Sequence, residues 1–205
     1  MNPNIPFYQK NAQRLAEDYL NVSFEDVHAG WQIYWPKLCE EKPSYRVLDI
    51  GAGCGRDSKW FAQSGCTVVA VEPAESFRKI GIELTRSLNV CWLDDTLPDL
   101  ETVSRDDAGY DLILVSAVWM HLPSSLRGLA FRRLTGLLAD DGKLVITLRH
   151  GTFSDGRVHH GVSADELNEL AKGYGLNVCL KTELTSDSMG RNDVQWQTVV
   201  IGKQE

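Results

Sequence analysis

The feature that most restricts the fold of this chain is a glycine-rich turn directly after a short apolar run. Residues 46–50 lead into Gly51, Gly53 and Gly55, and a segment with helical spacing follows. Glycine lets a strand turn sharply, and it lets a ligand lie against main-chain N–H groups at the start of a helix. The arrangement therefore predicts a β-strand, a ligand-binding loop and a helix, in that order.

The segments from residue 45 onward alternate between β-rich apolar runs and stretches of helical periodicity. Such alternation is typical of βαβ units around a parallel sheet. The sequence therefore predicts an α/β fold, with a doubly wound, mostly parallel sheet of seven strands. The predicted strands are 45–50, 67–72, 90–93, 110–116, 143–148, 176–182 and 194–201.

Two helices in the second half have recognisable boundaries. Leucine and alanine recur at helical intervals over residues 124–138, and the Asp-Asp-Gly run at 140–142 predicts a turn after that helix. Ser163 and Glu166 match a capping box, which predicts a helix that runs through Ala171 and stops at Gly173. The arginines of the first helix, Arg127, Arg132 and Arg133, are interpreted as a solvated face.

The region before the first strand is rich in aromatic residues. Apolar side chains recur there at helical spacing in two groups: Tyr8, Leu15 and Tyr19, then Trp31, Tyr34, Trp35 and Leu38. We expect a helical cap over residues 1–42 in front of a Rossmann-like core over residues 43–205, within a single domain. The cap either packs on the edge of the sheet or forms a lid over a pocket.

Composition excludes several classes of protein. The chain has 205 residues, of which 43% are hydrophobic and 24% charged, so disorder is not expected. A net charge of −7 disfavours general nucleic-acid binding, since phosphate contacts need a basic face. The five cysteines are odd in number and scattered, and neither a signal peptide nor a membrane span is evident. A cytoplasmic location is expected.

Acidic residues at the ends of the first three strands indicate which ligand the loop holds. Arg56 stands where a dinucleotide fingerprint has its third glycine, and Asp49 before the loop would repel a diphosphate but attract an ammonium group. Glu72 ends the second strand, where a carboxylate hydrogen-bonds ribose hydroxyls. Asp94 or Asp95 after the third strand could accept from an adenine amine, and Asp94 is preferred.

These motifs resemble those of the S-adenosylmethionine-dependent methyltransferases with a seven-stranded Rossmann-like sheet. The resemblance rests on Asp49-x-Gly51-x-Gly53-x-Gly55, Glu72, Asp94 and the strand that ends at Ser116, and it covers roughly residues 45–202. The continuation Arg56-Asp57-Ser58 is also similar to the tellurite-resistance and thiopurine methyltransferase branch. The resemblance implies S-adenosyl-L-methionine as cofactor and methyl transfer as the reaction.

The resemblance also implies a role for each matching position. Asp49 and the glycine loop would hold the methionine part, Glu72 the ribose, Asp94 or its neighbour the adenine, and Ser116-Ala117 the methionine ammonium through carbonyls. Arg56 would pair with the methionine carboxylate, or else lie on the helix surface. The cofactor set is then Asp49, Gly51, Ala52, Gly53, Gly55, Arg56, Glu72, Pro73, Asp94, Asp95, Ser116 and Ala117.

Candidate catalytic residues follow the fourth and fifth strands, at the edge where open α/β sheets bind ligands. His121 and His150 could accept a proton from the methyl acceptor, and Arg149 would suit an anionic acceptor. Each also has a structural interpretation, as a loop hydrogen bond or a salt bridge. Three aromatic residues are assigned to the substrate pocket: Tyr8, Tyr19 and Trp119.

A metal site is not predicted, because His159-His160 lacks a ligand spacing that presets coordination. The polar loop 151–161 is expected to be a mobile wall over the acceptor pocket. The function expected is methyl transfer to a small-molecule acceptor, with nucleic acid disfavoured as a partner and no membrane partner expected. The alternatives are an RNA or protein methyltransferase, a non-catalytic cofactor-binding module, and an NAD-dependent oxidoreductase.

Overall fold

The fold is described from a computed structural model, which covers residues 2–36 and 45–203. The helices are α1 Ile5–Leu20, α2 Phe24–His28, α3 Arg56–Gln63, α4 Glu75–Leu84, α5 Ser124–Leu137 and α6 Ala164–Gly173, with 3₁₀ helices at Ala29–Tyr34 and Trp119–His121. The strands are β1 Arg46–Ile50, β2 Thr67–Val71, β3 Val90–Leu93, β4 Tyr110–Val115, β5 Leu138–His150, β6 Asn177–Lys181, β7 Thr185–Ser186 and β8 Gln195–Gly202.

One sheet organises the described chain, in the strand order β3-β2-β1-β4-β5-β8-β6, and β7 pairs with β8. β8 runs antiparallel to β5 and β6, whereas the pairs from β3 to β5 are all parallel. The predicted α/β class and mostly parallel sheet are confirmed. The two-residue β7 is an additional strand that was not predicted. Both of its residues are exposed, so no apolar run marks it in the sequence.

Both faces of the sheet are covered, which explains why its strands are almost continuously apolar. Leu48 and Ile113 pack on one side with residues of α5 and α6, while Val47 and Leu112 pack on the other side with Phe61 of α3. Successive residues of a strand point to opposite faces. Each strand therefore needs apolar residues at odd and at even positions.

The N-terminal region forms a cap only partly as expected. α1 packs on α4 through Ala12, Leu15 and Phe77. The second predicted helix is instead the short α2 followed by a 3₁₀ helix, because Trp31 leaves the helical region at φ −130° and inserts fully into the core. Leu38 lies outside the described residues.

The turn predicted at 140–142 was wrong. These residues belong to β5, since the chain pairs with Tyr110 at Leu138 before a shift in register. A side chain at Gly142 would lie 2.6 Å from the Tyr110 carbonyl oxygen, so glycine permits this close approach.

The capping box predicted before α6 forms only in part. Ser163 accepts a hydrogen bond from the Asp165 N–H, but the Glu166 carboxylate pairs with Arg127 at 2.6 Å instead of turning back to the cap. Arg127 is consequently buried, and the predicted solvated arginine face is wrong at this position. Within the described residues, none of the helices is long and apolar enough to span a membrane.

Candidate active site

The glycine loop lies at the switch point of the sheet, where the chain order reverses between β1 and β4. The N–H groups of Gly51 and Ala52 donate to the Val71 carbonyl at 2.8 and 3.0 Å, which fixes the loop across the end of β2. Gly51 has φ +70°, and a side chain there would lie 2.4 Å from Val118. Gly55 has φ +87°, and a side chain there would lie 3.0 Å from the Trp92 ring.

A cavity of about 320 Å³ opens beside this loop. It lies between the loop, the end of β4, the N-terminal cap and two later loops. Eight of the residues assigned from the sequence line it: Tyr8, Tyr19, Ala52, Gly53, Arg56, Ser116, Ala117 and Arg149.

A smaller cavity of about 80 Å³ adjoins the other side of the loop. The assigned residues that line it include Gly51, Glu72, Pro73, Asp95, Ala117 and His121. Tyr8 and Ala117 line both cavities, so the two cavities adjoin at these residues. Ala117 has a left-handed backbone with φ +57°, a strained conformation for a residue with a side chain, and its N–H donates to Thr147 Oγ1 at 2.8 Å.

Glu72 is the acceptor at the end of β2. Its carboxylate accepts hydrogen bonds from the N–H groups of Gly53, at 2.9 Å, and Ala74, at 2.7 Å. Burial raises the pKa of Glu72 to about 7, against the lowering effect of these two donors. The carboxylate is thus tied to the glycine loop and poised between its protonation states at neutral pH.

Asp49 does not face either cavity, contrary to the expected contact with a ligand ammonium group. It is buried behind the loop, where Ser58 Oγ donates to it at 2.6 Å. Burial and the neighbouring Asp57 raise the pKa of Asp49 to about 7. Ser58 therefore serves this buried carboxylate, and not the free N–H groups at the start of the helix.

Arg56 lines the large cavity but already has a carboxylate partner. Its Nε and Nη2 donate to Asp57 at 2.6 and 3.1 Å. His28 Nε2 lies 3.1 Å from the same carboxylate, and Trp31 Nε1 donates to His28 Nδ1 at 3.0 Å. Although burial raises the pKa of Asp57, Arg56 and His28 hold it below its usual range. The chain Trp31-His28-Asp57-Arg56 fastens the cap to the start of α3.

Of the two adjacent aspartates proposed as adenine acceptors, the preferred Asp94 does not line either cavity. Asp94 is exposed and pairs with Arg78 at 2.8 Å, whereas its neighbour Asp95 lines the small cavity. The Asp95 carboxylate also accepts from Thr96 and Thr102, which orders the loop after β3.

Tyr8 is held by a buried network that reaches from α1 to the loop after β5. The Asn4 side chain accepts from the Val158 N–H at 2.8 Å and donates to the Val158 carbonyl at 2.9 Å. This orientation makes Asn4 Nδ2 a donor to His121 Nδ1, at 2.7 Å, and we therefore assign the His121 proton to Nε2. Nε2 lies 2.9 Å from Tyr8 Oη, and Arg157 Nη1 donates to the same oxygen at 2.9 Å.

Two chemical consequences follow from this network. With two donors on its oxygen, Tyr8 keeps its own O–H as a donor, and burial raises its pKa so that it stays protonated. Burial lowers the pKa of His121 to about 4, so the imidazole is neutral at pH 7. Neither ring nitrogen of His121 has an open lone pair in this arrangement.

The other two catalytic candidates end on different sides of β5. Arg149 lines the large cavity, but the adjacent His150 lines neither cavity. Successive strand residues point to opposite faces, and a polar run at a strand end does not reveal which residue faces the site. Trp119, predicted to wall the pocket, is fully buried in the main core beside Leu122 and Ala130.

Several cavity residues were not predicted. The loop 151–161, which was expected to form a wall, contributes Phe153 and Arg157. Asp187 and Arg191 from the loop before β8 form a pair with contacts of 2.9 and 2.6 Å, and Trp196 Nε1 donates to Asp187 at 2.7 Å. Although burial raises the pKa of Asp187, these donors lower it to about 2. The only sequence signal was an Asp and an Arg four residues apart in a polar loop.

The described residues contain no group of three or more His, Cys, Asp or Glu that could hold a metal ion. The sheet order, the glycine loop at the switch point and the two adjoining cavities define a Rossmann-like α/β protein of the methyltransferase class. Comparison with known proteins agrees, because a family model described as a methyltransferase domain matches residues 8–181. The chain belongs to this methyltransferase domain family.

A curated relative is also described as a methyltransferase. A protein of Staphylococcus carnosus (strain TM300), named an uncharacterized methyltransferase, is 29% identical over 126 residues, which are 62% of this chain and 57% of that relative. The chain thus matches little more than half the length of this curated relative.

Solved structures extend the likeness of the fold over nearly the whole chain. A TehB-like SAM-dependent methyltransferase from Corynebacterium glutamicum has a TM-score of 0.68 at 20% identity, with 97% of this chain and 100% of that chain covered. TehB from Haemophilus influenzae has a TM-score of 0.68 at 19% identity, with 92% and 67% covered. Magnesium protoporphyrin IX methyltransferase from Synechocystis PCC 6803 with bound SAH gives 0.68 at 16% identity, with 96% and 97% covered.

Proposed function

We propose that this chain is an S-adenosylmethionine-dependent methyltransferase for a small-molecule acceptor, and that residues 1–205 act as one domain with residues 1–42 as its cap. The observation that carries the proposal is the junction of the two cavities at Tyr8 and Ala117. The smaller cavity contains Glu72, which can accept hydrogen bonds from ribose hydroxyls. The larger cavity gives the methyl acceptor a space that is lined by aromatic residues and arginines.

The residues around the junction fit the cofactor. Glu72 would accept from the ribose hydroxyls, and Asp95 would accept from the adenine amine. The loop from Gly51 to Gly53 would pack against the methionine part through its side-chain-free backbone, because its N–H groups already donate to Val71 and Glu72. The carbonyls of Ser116 and Ala117 suit its ammonium group. When bound, the cofactor supplies an electrophilic methyl group on a sulfonium, and the chain's task is to align the acceptor and exclude water.

The cap and the later loops restrict the acceptor to a small molecule. α1 closes the cavity through Tyr8 and Tyr19, and Arg157 ties Tyr8 to the loop after β5. The Tyr8 O–H would donate a hydrogen bond to the acceptor or cofactor, and His121 would position Tyr8 rather than take a proton. A large nucleic acid or a folded protein would have to displace α1, and the net charge of −7 opposes nucleic acid.

The alternatives differ in what they need from the site. An NAD-dependent oxidoreductase would need space for a diphosphate, but Arg56 stands at the third glycine position. A non-catalytic cofactor-binding module would bind the cofactor without turnover. A cytoplasmic location belongs to the same proposal and rests on the odd number and scatter of the five cysteines.

Two variants test the cofactor site. We expect Gly53→Trp to block S-adenosylmethionine, because Phe77 already lies 3.2 Å from a side chain at this position, and Glu72→Ala to weaken it through lost hydrogen bonds. Calorimetric titration should show at least about a tenfold loss for each, which corresponds to about 1.4 kcal/mol.

The matched controls are Gly128→Trp and Glu75→Ala. A side chain at Gly128 would meet no other atom within 4 Å of its Cβ, and Glu75 is exposed at the start of α4. Both controls should bind S-adenosylmethionine like the wild type. Unchanged affinity in Gly53→Trp and Glu72→Ala, with melting curves that confirm folded protein, would refute the assigned cofactor site.

A further inference from the structure

Arg149 differs from the other arginines of the large cavity in its partners. Arg56, Arg157 and Arg191 each pair with an aspartate at 2.6 Å. Arg149 is only 4% exposed, yet it makes no ion pair within residues 2–36 and 45–203. A buried arginine without a carboxylate is unusual, because an unpaired buried charge is costly.

The hydrogen bonds of Arg149 leave one edge of its guanidinium without a partner in the described structure. Nη1 donates to the carbonyls of Gly151, at 2.5 Å, and Thr152, at 3.3 Å, and Nη2 donates to the Thr152 carbonyl at 3.3 Å. The shared carbonyl occupies the edge between Nη1 and Nη2. Nε is buried and has no partner in the described structure. The remaining edge, made of Nε–H and the second Nη2–H, is the fork that binds two oxygens of one oxyanion.

The plane of this fork is fixed by aromatic packing. The Arg149 guanidinium carbon lies 4.2 Å from the centre of the Phe153 ring, and the Arg157 guanidinium carbon lies 4.0 Å from the same ring. Thr198 and Trp196, on the neighbouring strand β8, line the same cavity. Arg149 is therefore preorganised, and ordering it on ligand binding would cost little entropy.

Of the four arginines that line the cavity, only Arg149 lacks an aspartate partner in the described structure. Burial, together with the nearby Arg191 and Arg157, lowers the pKa of Arg149, and the more weakly acting Asp193 and Asp187 oppose this effect. An anion next to Arg149 would give it the kind of partner that the other three arginines already have.

We propose that Arg149 is a specificity-determining residue that binds an oxyanion group, a carboxylate or a phosphate, on the methyl acceptor. The proposal rests on the methyltransferase function proposed above and adds the chemical class of its acceptor. The partnerless fork of Nε and Nη2 receives two oxygens of the anion, and the methyl group is accepted elsewhere on the same molecule.

Three probes and two variants test this assignment. Benzoate, phenyl phosphate and the neutral isostere benzamide are titrated by NMR, with and without saturating S-adenosylhomocysteine. We expect benzoate or phenyl phosphate to bind the wild type at least about tenfold more tightly than benzamide, as a charge-assisted bidentate pair would provide. Tighter binding of benzoate would indicate a carboxylate on the methyl acceptor, and tighter binding of phenyl phosphate would indicate a phosphate.

Arg149→Gln should remove this preference, because its amide can still donate to a carbonyl of Gly151 or Thr152 but lacks the charged fork. Arg149→Lys keeps the charge without the fork and should retain only part of the preference. The control Arg132→Gln changes an exposed arginine on α5 and should bind like the wild type. Each variant should bind S-adenosylhomocysteine within about twofold of the wild type. The substitutions remove a contact to the methyl acceptor and leave the proposed cofactor site intact.

Two results would overturn the proposal: equal binding of benzamide and both anions to the wild type, or an anion preference that survives Arg149→Gln. Both comparisons are also made in the protein without S-adenosylhomocysteine. Failure of the wild type to bind S-adenosylhomocysteine would instead count against the proposed function. The two failures are therefore distinguishable.

Discussion

Among single residues, Glu72 links the chemistry of the site most directly to pH. Its carboxylate accepts hydrogen bonds from the N–H groups of Gly53 and Ala74, and burial raises its pKa to about 7. A raised carboxyl pKa means that the folded state favours the protonated form. This contribution to stability is complete below the unfolded pKa of about 4.3 and is lost as the pH rises through about 7.

The same pKa predicts a proton linkage to cofactor binding. Ribose hydroxyls that donate to Glu72 favour its ionised form, so binding should lower its pKa and release a proton near pH 7. We expect the affinity for S-adenosylhomocysteine to rise between about pH 6 and pH 8, by up to about tenfold per unit below the pKa. Calorimetry in buffers of different ionisation enthalpy measures the proton release.

Glu72→Gln is the control for this linkage, because Asp49 also has a pKa of about 7 and does not face either cavity. The variant should lose the pH dependence that belongs to Glu72. If the wild type and Glu72→Gln show the same pH dependence, the ribose assignment of Glu72 is wrong.

Among the elements, the cap and the loop 151–161 are joined by one side chain. Asn4, just before α1, makes three contacts through its side-chain amide, two to the Val158 backbone and one to His121. It is only 2% exposed, so no water competes for these bonds. α1 and this loop therefore form one wall of the cavity.

Asn4→Ala should disconnect the two elements. Leaving the Val158 N–H and carbonyl without partners costs about 1 to 3 kcal/mol of unfolding free energy. Urea unfolding measures that loss, and hydrogen exchange should show faster exchange in α1 and in residues 151–161. Asn168→Ala is the control, since the Asn168 amide makes its hydrogen bond to Glu169 at the protein surface. Equal exchange in both variants would contradict a coupled wall.

The elements themselves were largely predictable from the sequence, whereas their ends were less so. Strand 90–93 has the predicted bounds, because a short apolar run with turn residues on either side determines it. The start of the long β5 was missed, since Leu138 continues the helical spacing of α5 and the Asp-Asp-Gly run at 140–142 is typical of a turn. Trp31 broke the second N-terminal helix because tertiary packing outweighed local helical spacing.

In the molecule as a whole, the proposed cofactor side of the site was more predictable than the proposed acceptor side. Gly51, Glu72 and Ala117 follow strands whose order fixes their meeting point at the switch of the sheet. The acceptor side is built from loops, where Arg157 and Asp187 meet only through the tertiary fold. The sequence also does not show which of two adjacent residues faces a cavity: Asp95 and Arg149 line the cavities, whereas their neighbours Asp94 and His150 do not.

Calorimetric titration of the purified protein with S-adenosylmethionine, S-adenosylhomocysteine and NAD is the decisive experiment for the methyltransferase function. The switch-point cavities with Glu72 and Arg56 predict saturable, micromolar binding of the first two ligands and none of NAD. Binding of NAD alone would contradict methyl transfer and favour an oxidoreductase. Binding of none of the three would contradict the cofactor site at Glu72 and the glycine loop.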